Sequence, residues 1–156
     1  MVNSAKYLLI TCMLFLLMSP LFAQRNNPAA ENFRCNSIGL YVGLIELNVN
    51  YERNIMQRPK SYSNIRAGAG YWTNLQLEGN YINAAFVHLL DLFGKSNSHL
   101  ELNLGAKYIF AKEEKDNTLL PDIFAGYRYE KTEGRFYFRA GLSFPGLFSM
   151  GTGLKF

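Results

Sequence analysis

The chain has 156 residues, 49% of them hydrophobic and 15% aromatic, with a formal net charge of +4. The length suits about one domain. Two cysteines are too few for a disulfide-stapled secreted scaffold, and basic residues spread along the chain rather than clustered argue against a nucleic-acid partner.

Lys6 precedes an apolar run from Tyr7 to Met18, broken by Ser19-Pro20 and followed by Leu21-Phe22-Ala23. The run is shorter than the roughly 20 residues of a spanning helix. It reads as a secretory signal over residues 1–23, cleaved after Ala23. Cys12 lies in the run, which leaves Cys35 as the one thiol of the mature chain. Residues 24–36 are mostly polar and unpatterned, a flexible lead-in to a single domain over residues 37–156.

From Ser37 onward the pattern is that of β-structure. Ile38 to Val42 is a short strand. Leu47, Val49 and Tyr51 then alternate with Glu46, Asn48, Asn50 and Glu52. The apolar phase changes from even to odd positions near Gly43-Leu44, which predicts a turn there and a total of eight strands. Met56 to Ser61, with Pro59, reads as a turn. Ile65, Ala67, Ala69 and Tyr71 alternate with Arg66, Gly68, Gly70 and Trp72. Tyr81 to Leu92 is nearly continuously apolar, so period alone separates neither its faces nor strand from helix. Leu100 to Phe110 alternates again, with Glu101, Asn103, Gly105 and Lys107 opposite the leucines and aromatics. Ile123, Ala125, Tyr127 and Tyr129 oppose Phe124, Gly126, Arg128 and Glu130. Phe136, Phe138, Ala140, Leu142 and Phe144 oppose Arg135, Tyr137, Arg139, Gly141 and Ser143. Pro145-Gly146 turns into a last strand. Long strands with short connections indicate an up-and-down meander.

The strands approach the 9–11 residues of a tilted membrane strand, and one face of several carries Glu, Asn, Arg, Lys and Gly. A small soluble barrel fills its interior with apolar side chains; here the expected arrangement is the reverse. The fold expectation is therefore an all-β, up-and-down antiparallel transmembrane β-barrel of eight strands. Tyr51, Tyr71, Tyr81, Tyr108, Tyr127 and Tyr129 are candidates for interfacial aromatic girdles. Glu52, Arg66, Glu101, Lys107, Arg128, Glu130 and Arg139, together with Glu46, Arg135 and Lys155, should point inward. Charges in so narrow a space require partners, so an Arg–carboxylate network is expected. The glycines of the same face, Gly68, Gly70, Gly105, Gly126, Gly141, Gly151 and Gly153, would make room for the arginines. Eight strands leave space for side chains and little more, so the barrel is expected to be plugged.

The last residues, Ser149 to Phe156, place Ser149, Gly151, Leu154 and Phe156 in an order that resembles the carboxy-terminal insertion signal of outer-membrane β-barrels. Tyr51-Glu52-Arg53, Gly94-Lys95, His99-Leu100-Glu101-Leu102, Gly126-Tyr127-Arg128-Tyr129 and Phe138-Arg139-Ala140-Gly141 resemble, in that order, a family of small outer-membrane β-barrel proteins of Bacteroidetes-type bacteria. The likeness runs from about Ile38 to Phe156. It implies the fold and an outer-membrane location, and brings no assigned activity. The chain departs from that family near Gly43, where relatives carry a more glycine-rich turn.

The expected partners are outer-membrane lipid and the barrel-insertion machinery, with the protein itself a monomer. The loops Asn74–Gly79 and Lys112–Leu119 are the elements available to a surface partner. A lipid-modifying hydrolase or acyltransferase would need a His near a Ser and an acid. Only His88 and His99 exist. His99 reads as a turn histidine beside Ser96 and Ser98, and His88 as a packed or girdle histidine. No residue is assigned a catalytic, cofactor-binding or metal-binding role, and no cofactor is expected. A soluble periplasmic lipocalin-like carrier is the rival reading. It would turn the apolar face of Leu100–Phe110 inward.

Overall fold

Eight strands carry the alternation: β1 (Asn36–Gly43), β2 (Glu46–Arg58), β3 (Ser61–Thr73), β4 (Glu78–Asp91), β5 (Ser98–Ala111), β6 (Thr118–Glu130), β7 (Phe136–Phe144) and β8 (Leu147–Lys155). The computed structural model describes residues 36–58, 60–73, 78–92, 97–111, 116–131 and 134–156. The signal segment, Cys12, Cys35 and nearly all of the lead-in lie outside them. Each strand pairs antiparallel with its sequence neighbours, and β1 pairs with β8 to close the barrel. The all-β, up-and-down, eight-stranded reading is correct.

Several boundaries differ from the sequence reading, each for a physical reason. The phase change at Gly43 is the β1–β2 hairpin, with Leu44 and Ile45 between the strands. Odd residues face inward in β1 and even residues in β2, so a two-residue connection accounts for the shift. The segment from Met56 is not a turn. β2 continues to Arg58, because a bulge between Asn54 and Met56 inserts Ile55 and restores the facing of Met56 opposite Ser63. Tyr81 to Leu92 is no helix: β4 spans Glu78–Asp91. Its apolar residues are divided, with Tyr81, Ala85, Val87 and Leu89 buried and Phe86 exposed. β6 begins before Pro121, at Thr118. There it is bonded to β5 alone, since pairing with β7 starts at Ile123. A residue without an N–H is tolerated on such an edge.

Two ends can be distinguished. The proximal end holds the start of β1, the end of β8 and the β2–β3, β4–β5 and β6–β7 connections. The distal end holds the other four hairpins. Within the described strands, the barrel is inverted relative to a soluble one. Glu52, Arg66, Glu101, Lys107, Arg128, Glu130 and Arg139 are buried, whereas Leu102, Leu104, Phe110, Phe136, Phe138, Leu142, Phe144, Met150 and Leu154 are exposed. Apolar clusters inside are small: Tyr62, Val87 and Leu89 proximally, and Trp72, Tyr81 and Ile109 distally.

Candidate functional site

The lumen face is built by one residue in two from every strand. Because strands are crossed by their neighbours at fixed register, residues far apart in sequence meet across the barrel. Glu52 lies opposite Arg66 on the adjoining strand. It accepts hydrogen bonds from Arg66 Nε at 2.7 Å, Arg128 Nη1 at 2.8 Å, the Tyr41 hydroxyl at 2.6 Å and Asn64 Nδ2 at 3.2 Å. Glu101 is the second hub. Arg66 Nη2 lies 2.7 Å and Arg139 Nη1 3.1 Å from its Oε1, with Arg128 at 3.7 Å from Oε2. Glu130 accepts from Arg128 Nε at 2.8 Å and faces Lys155 at 3.7 Å. Arg66 thus spans Glu52 and Glu101, and Arg128 spans Glu52 and Glu130, which suits the fork of planar donors, whereas Arg139 meets Glu101 alone among the described carboxylates.

Lys107 is not in this network. It belongs to a separate distal cluster, where it pairs with Glu46 and stands 3.9 Å from Asp122. Its ammonium sits over the Tyr81 ring at 4.7 Å and the Trp72 ring at 5.0 Å. The Tyr81 hydroxyl donates to Glu46 at 3.2 Å and accepts from Asn48 at 2.6 Å. Asn83 donates to Asn50 at 3.2 Å and to Asp122 at 3.0 Å, and Asn50 in turn donates to Asn48. This amide ladder stands between the two charged levels.

Several lumen glycines make room for rings rather than directly for arginines, whereas Gly68 stands against Asn50 and Gly105 against Ala85. A Cβ on Gly39 would lie 2.3 Å from the Tyr137 hydroxyl, one on Gly151 would lie 2.2 Å from the Tyr41 ring, and one on Gly153 would lie 2.4 Å from the Tyr137 ring. Gly126 and Gly141 stand likewise under Phe124, at 2.6 and 2.8 Å. The rings in turn carry the cations. Arg128 stacks on Tyr137 at 3.9 Å, and Arg139 lies between Phe124 at 3.7 Å and Tyr41 at 4.3 Å. Bare backbone, aromatic ring, guanidinium and carboxylate form successive layers from the wall to the axis. Each cation gains ring attraction and carboxylate bonds together.

Three further expectations need correction. Tyr81 is a lumen residue, 1% exposed, and not part of a girdle; the apolar character of both faces of β4 hid its direction. Arg135 is exposed, on a bend before β7 rather than inside the barrel. His99 is not a turn histidine. It is the second residue of β5, faces inward at 1% exposure and places Nδ1 2.8 Å from Asp91 Oδ1. Ser98 points the opposite way and bonds the Tyr127 hydroxyl at 2.9 Å, so it cannot serve His99. Asp122, Tyr41, Tyr137 and the Asn48–Asn50–Asn83 ladder were missed. For Asp122, Tyr137, Asn48 and Asn50 the signal was parity, since each shares its strand's charged face; β1 carries no charge and β4 is apolar on both faces, so Tyr41 and Asn83 had no such signal.

Ser63 and His88 form the one Ser–His hydrogen bond among the described residues, Oγ to Nδ1 at 2.9 Å, on the outer wall. The Ser63 residue is 2% exposed and the His88 ring stacks on Phe86. The strand partner of His88 on its other side is Leu102. The pairing satisfies two polar groups on an apolar wall. Among the described residues no group of three or more His, Cys, Asp or Glu could hold a metal ion.

The residues of the resembling carboxy-terminal signal divide by face: Ser149 and Gly151 point inward, and Leu154 and Phe156 are exposed on the outer wall. No protein-family model, no curated protein and no solved structure matches the chain.

Proposed function

We propose that the protein is a small outer-membrane β-barrel, monomeric and non-enzymatic, with a charge-plugged lumen and a structural or surface-interaction role. One observation carries this reading: charge lies inside the barrel and large apolar side chains lie outside. In water the outer wall would expose an apolar surface far larger than soluble monomers tolerate. Against lipid it lowers the free energy. Alternating positions over about nine residues, each rising ~3.3 Å along a strand tilted by ~40°, cover ~20–25 Å of depth, close to the ~25 Å apolar band of such barrels.

The carrier reading needs the opposite facing. Leu102, Leu104 and Phe110 are exposed, while Glu101, Asn103 and Lys107 are buried. Where a lipocalin-like cavity would lie, there are guanidiniums, carboxylates and tyrosines. The same filling supports a lumen that does not conduct. The connections offered to a surface partner are shorter than the sequence suggested, because β4 already begins at Glu78 and β6 at Thr118.

Membrane fractionation with heated and unheated gel mobility tests the reading. Outer-membrane recovery with a heat-modifiable band is expected; recovery in the soluble periplasm overturns it. Replacing Leu154 and Phe156 by Ala should reduce assembly more than it lowers the stability of barrels that do assemble. Normal yields of that variant would remove the role given to the carboxy-terminal strand.

A further inference from the structure

The described charges that face away from the lumen are divided between the ends of the barrel. Arg58 and Lys60, at the β2–β3 hairpin, are exposed at the proximal end, as are Lys131 and Arg135 at the β6–β7 connection. At the distal rim the described charges are Glu78 and Asp116. The distal loop residues 112–115 read Lys-Glu-Glu-Lys, which adds no net charge, and the proximal connections add Lys95 and Glu133, which likewise cancel.

In a ring of eight strands, the β2–β3 and β6–β7 corners are four strands apart, on opposite sides of the barrel. The backbone at each corner is held. The Lys60 carbonyl accepts from Asp91 N at 2.9 Å, and the Lys131 carbonyl accepts from Gly134 N at 3.0 Å and from Lys155 Nζ at 3.0 Å. The Arg135 carbonyl accepts from Lys155 N at 2.6 Å. Lys155 also faces Glu130, so the lumen network steadies one of the two corners. On the barrel side of Lys131 and Arg135 stand exposed aromatics, Tyr127, Tyr129, Phe136 and Phe138, and on the barrel side of Arg58 and Lys60 stand the exposed Ile55 and Met56. Rings first and flexible cations beyond them is the order of groups met on moving from hydrocarbon into headgroups.

We propose that the proximal rim is a docking surface for anionic phospholipid headgroups, held at two opposed corners by Arg58 with Lys60 and by Lys131 with Arg135. The occupant follows from charge complementarity and from the aromatic–cation order. Four exposed cations outnumber the one partly exposed side-chain carboxylate described at this rim, Asp91, which is turned to His99, and the excess selects a negative headgroup; the rings of the β6–β7 corner place it at the edge of the apolar wall. The inference rests on the membrane reading above.

The test uses the full chain reconstituted in phosphatidylcholine vesicles with spin-labelled phosphatidylglycerol or phosphatidylcholine as probe. The readout is the relative association of the two probes with the motionally restricted lipid shell. Native protein should favour phosphatidylglycerol at least about twofold, the shell average of a roughly fivefold preference beside each surface cation. The preference should vanish in about 0.5 M salt, where screening extends only a few ångströms. It should also vanish when Arg58, Lys60, Lys131 and Arg135 are all replaced by Gln. The pair variants Arg58→Gln with Lys60→Gln, and Lys131→Gln with Arg135→Gln, should each lose part of it, which keeps the test open if the fourfold variant fails to fold. Equal association of both probes with native protein, or a preference unchanged in both pair variants, overturns the proposal. Absence of any restricted lipid component would instead sink the membrane reading itself.

Discussion

The proximal and distal levels of the lumen solve the same problem with different cations. Proximally, Glu52 and Glu101 have side chains 1% and 0% exposed, and arginines bridge them. Distally, a lysine serves Glu46 and the more open Asp122, which is 16% exposed. Where water is excluded, each charge needs several directed bonds, and a planar fork supplies close, directed bonds to two carboxylates at once. At the distal level one point charge is supported by Asn48, Asn50, Asn83 and two rings, and solvent reaches Asp122 in part.

The largest effect should therefore come from the proximal hub. Glu52→Ala leaves Arg66 and Arg128 short of a shared partner and should lower stability by about 3–5 kcal/mol, read as the urea midpoint in lipid or detergent. Lys107→Met should lose less, about 1–3 kcal/mol, since the carboxylates it abandons are close to the distal mouth. Equal losses would break the contrast between the two levels. Arg66→Lys sharpens it: an ammonium cannot reproduce the bonds to both Glu52 and Glu101, and a loss of about 1.5–3 kcal/mol is expected despite the conserved charge.

A smaller effect tests the layers beneath the charges. Gly153→Ala puts a methyl group against the Tyr137 ring and should cost about 1–3 kcal/mol through overpacking. Combined with Tyr137→Leu it should be less than additive, because the clash with the ring is lost with the ring while that with the Ile38 carbonyl stays. At the bottom of the scale, Tyr71→Phe removes a hydroxyl bond to Glu78 on the outer rim and should change stability by less than about 0.5 kcal/mol.

Most of the fold was legible because parity is a strong signal where only one face is apolar. β5, β7 and β8 show this directly, and their inward residues were read correctly apart from Arg135, which is outside β7. The signal failed where its physical basis failed. β4 is apolar on both faces, so Tyr81 had no preferred side in the sequence. The extra residue Ile55 interrupted the alternation and made the end of β2 resemble a turn. The alternation of β6 was read only from Ile123, short of its start at Thr118, which left out Asp122. The charged residues of the network were named from sequence, but their division into two clusters was not, since Lys107 and Glu101 share a strand and a face. Six residues of one strand already separate them by about 20 Å; what needed the register was which residues join each level, Asn83 and Leu120 beside Lys107, and Leu89 and Gly126 beside Glu101.

The bond from Arg128 to Glu52 joins residues 76 positions apart on strands that are not neighbours. No hairpin can form it, nor any partly built sheet. Until β1 meets β8, one side of the growing sheet presents Arg66, Arg128 and Arg139 without their final enclosure. Each such group facing hydrocarbon at mid-depth costs about 2–4 kcal/mol. A bilayer therefore disfavours strand-by-strand entry for this chain. On the membrane reading proposed above, the route of least resistance keeps the charged face turned toward itself, so that curling and descent would proceed together and the sheet would reach full depth already rolled.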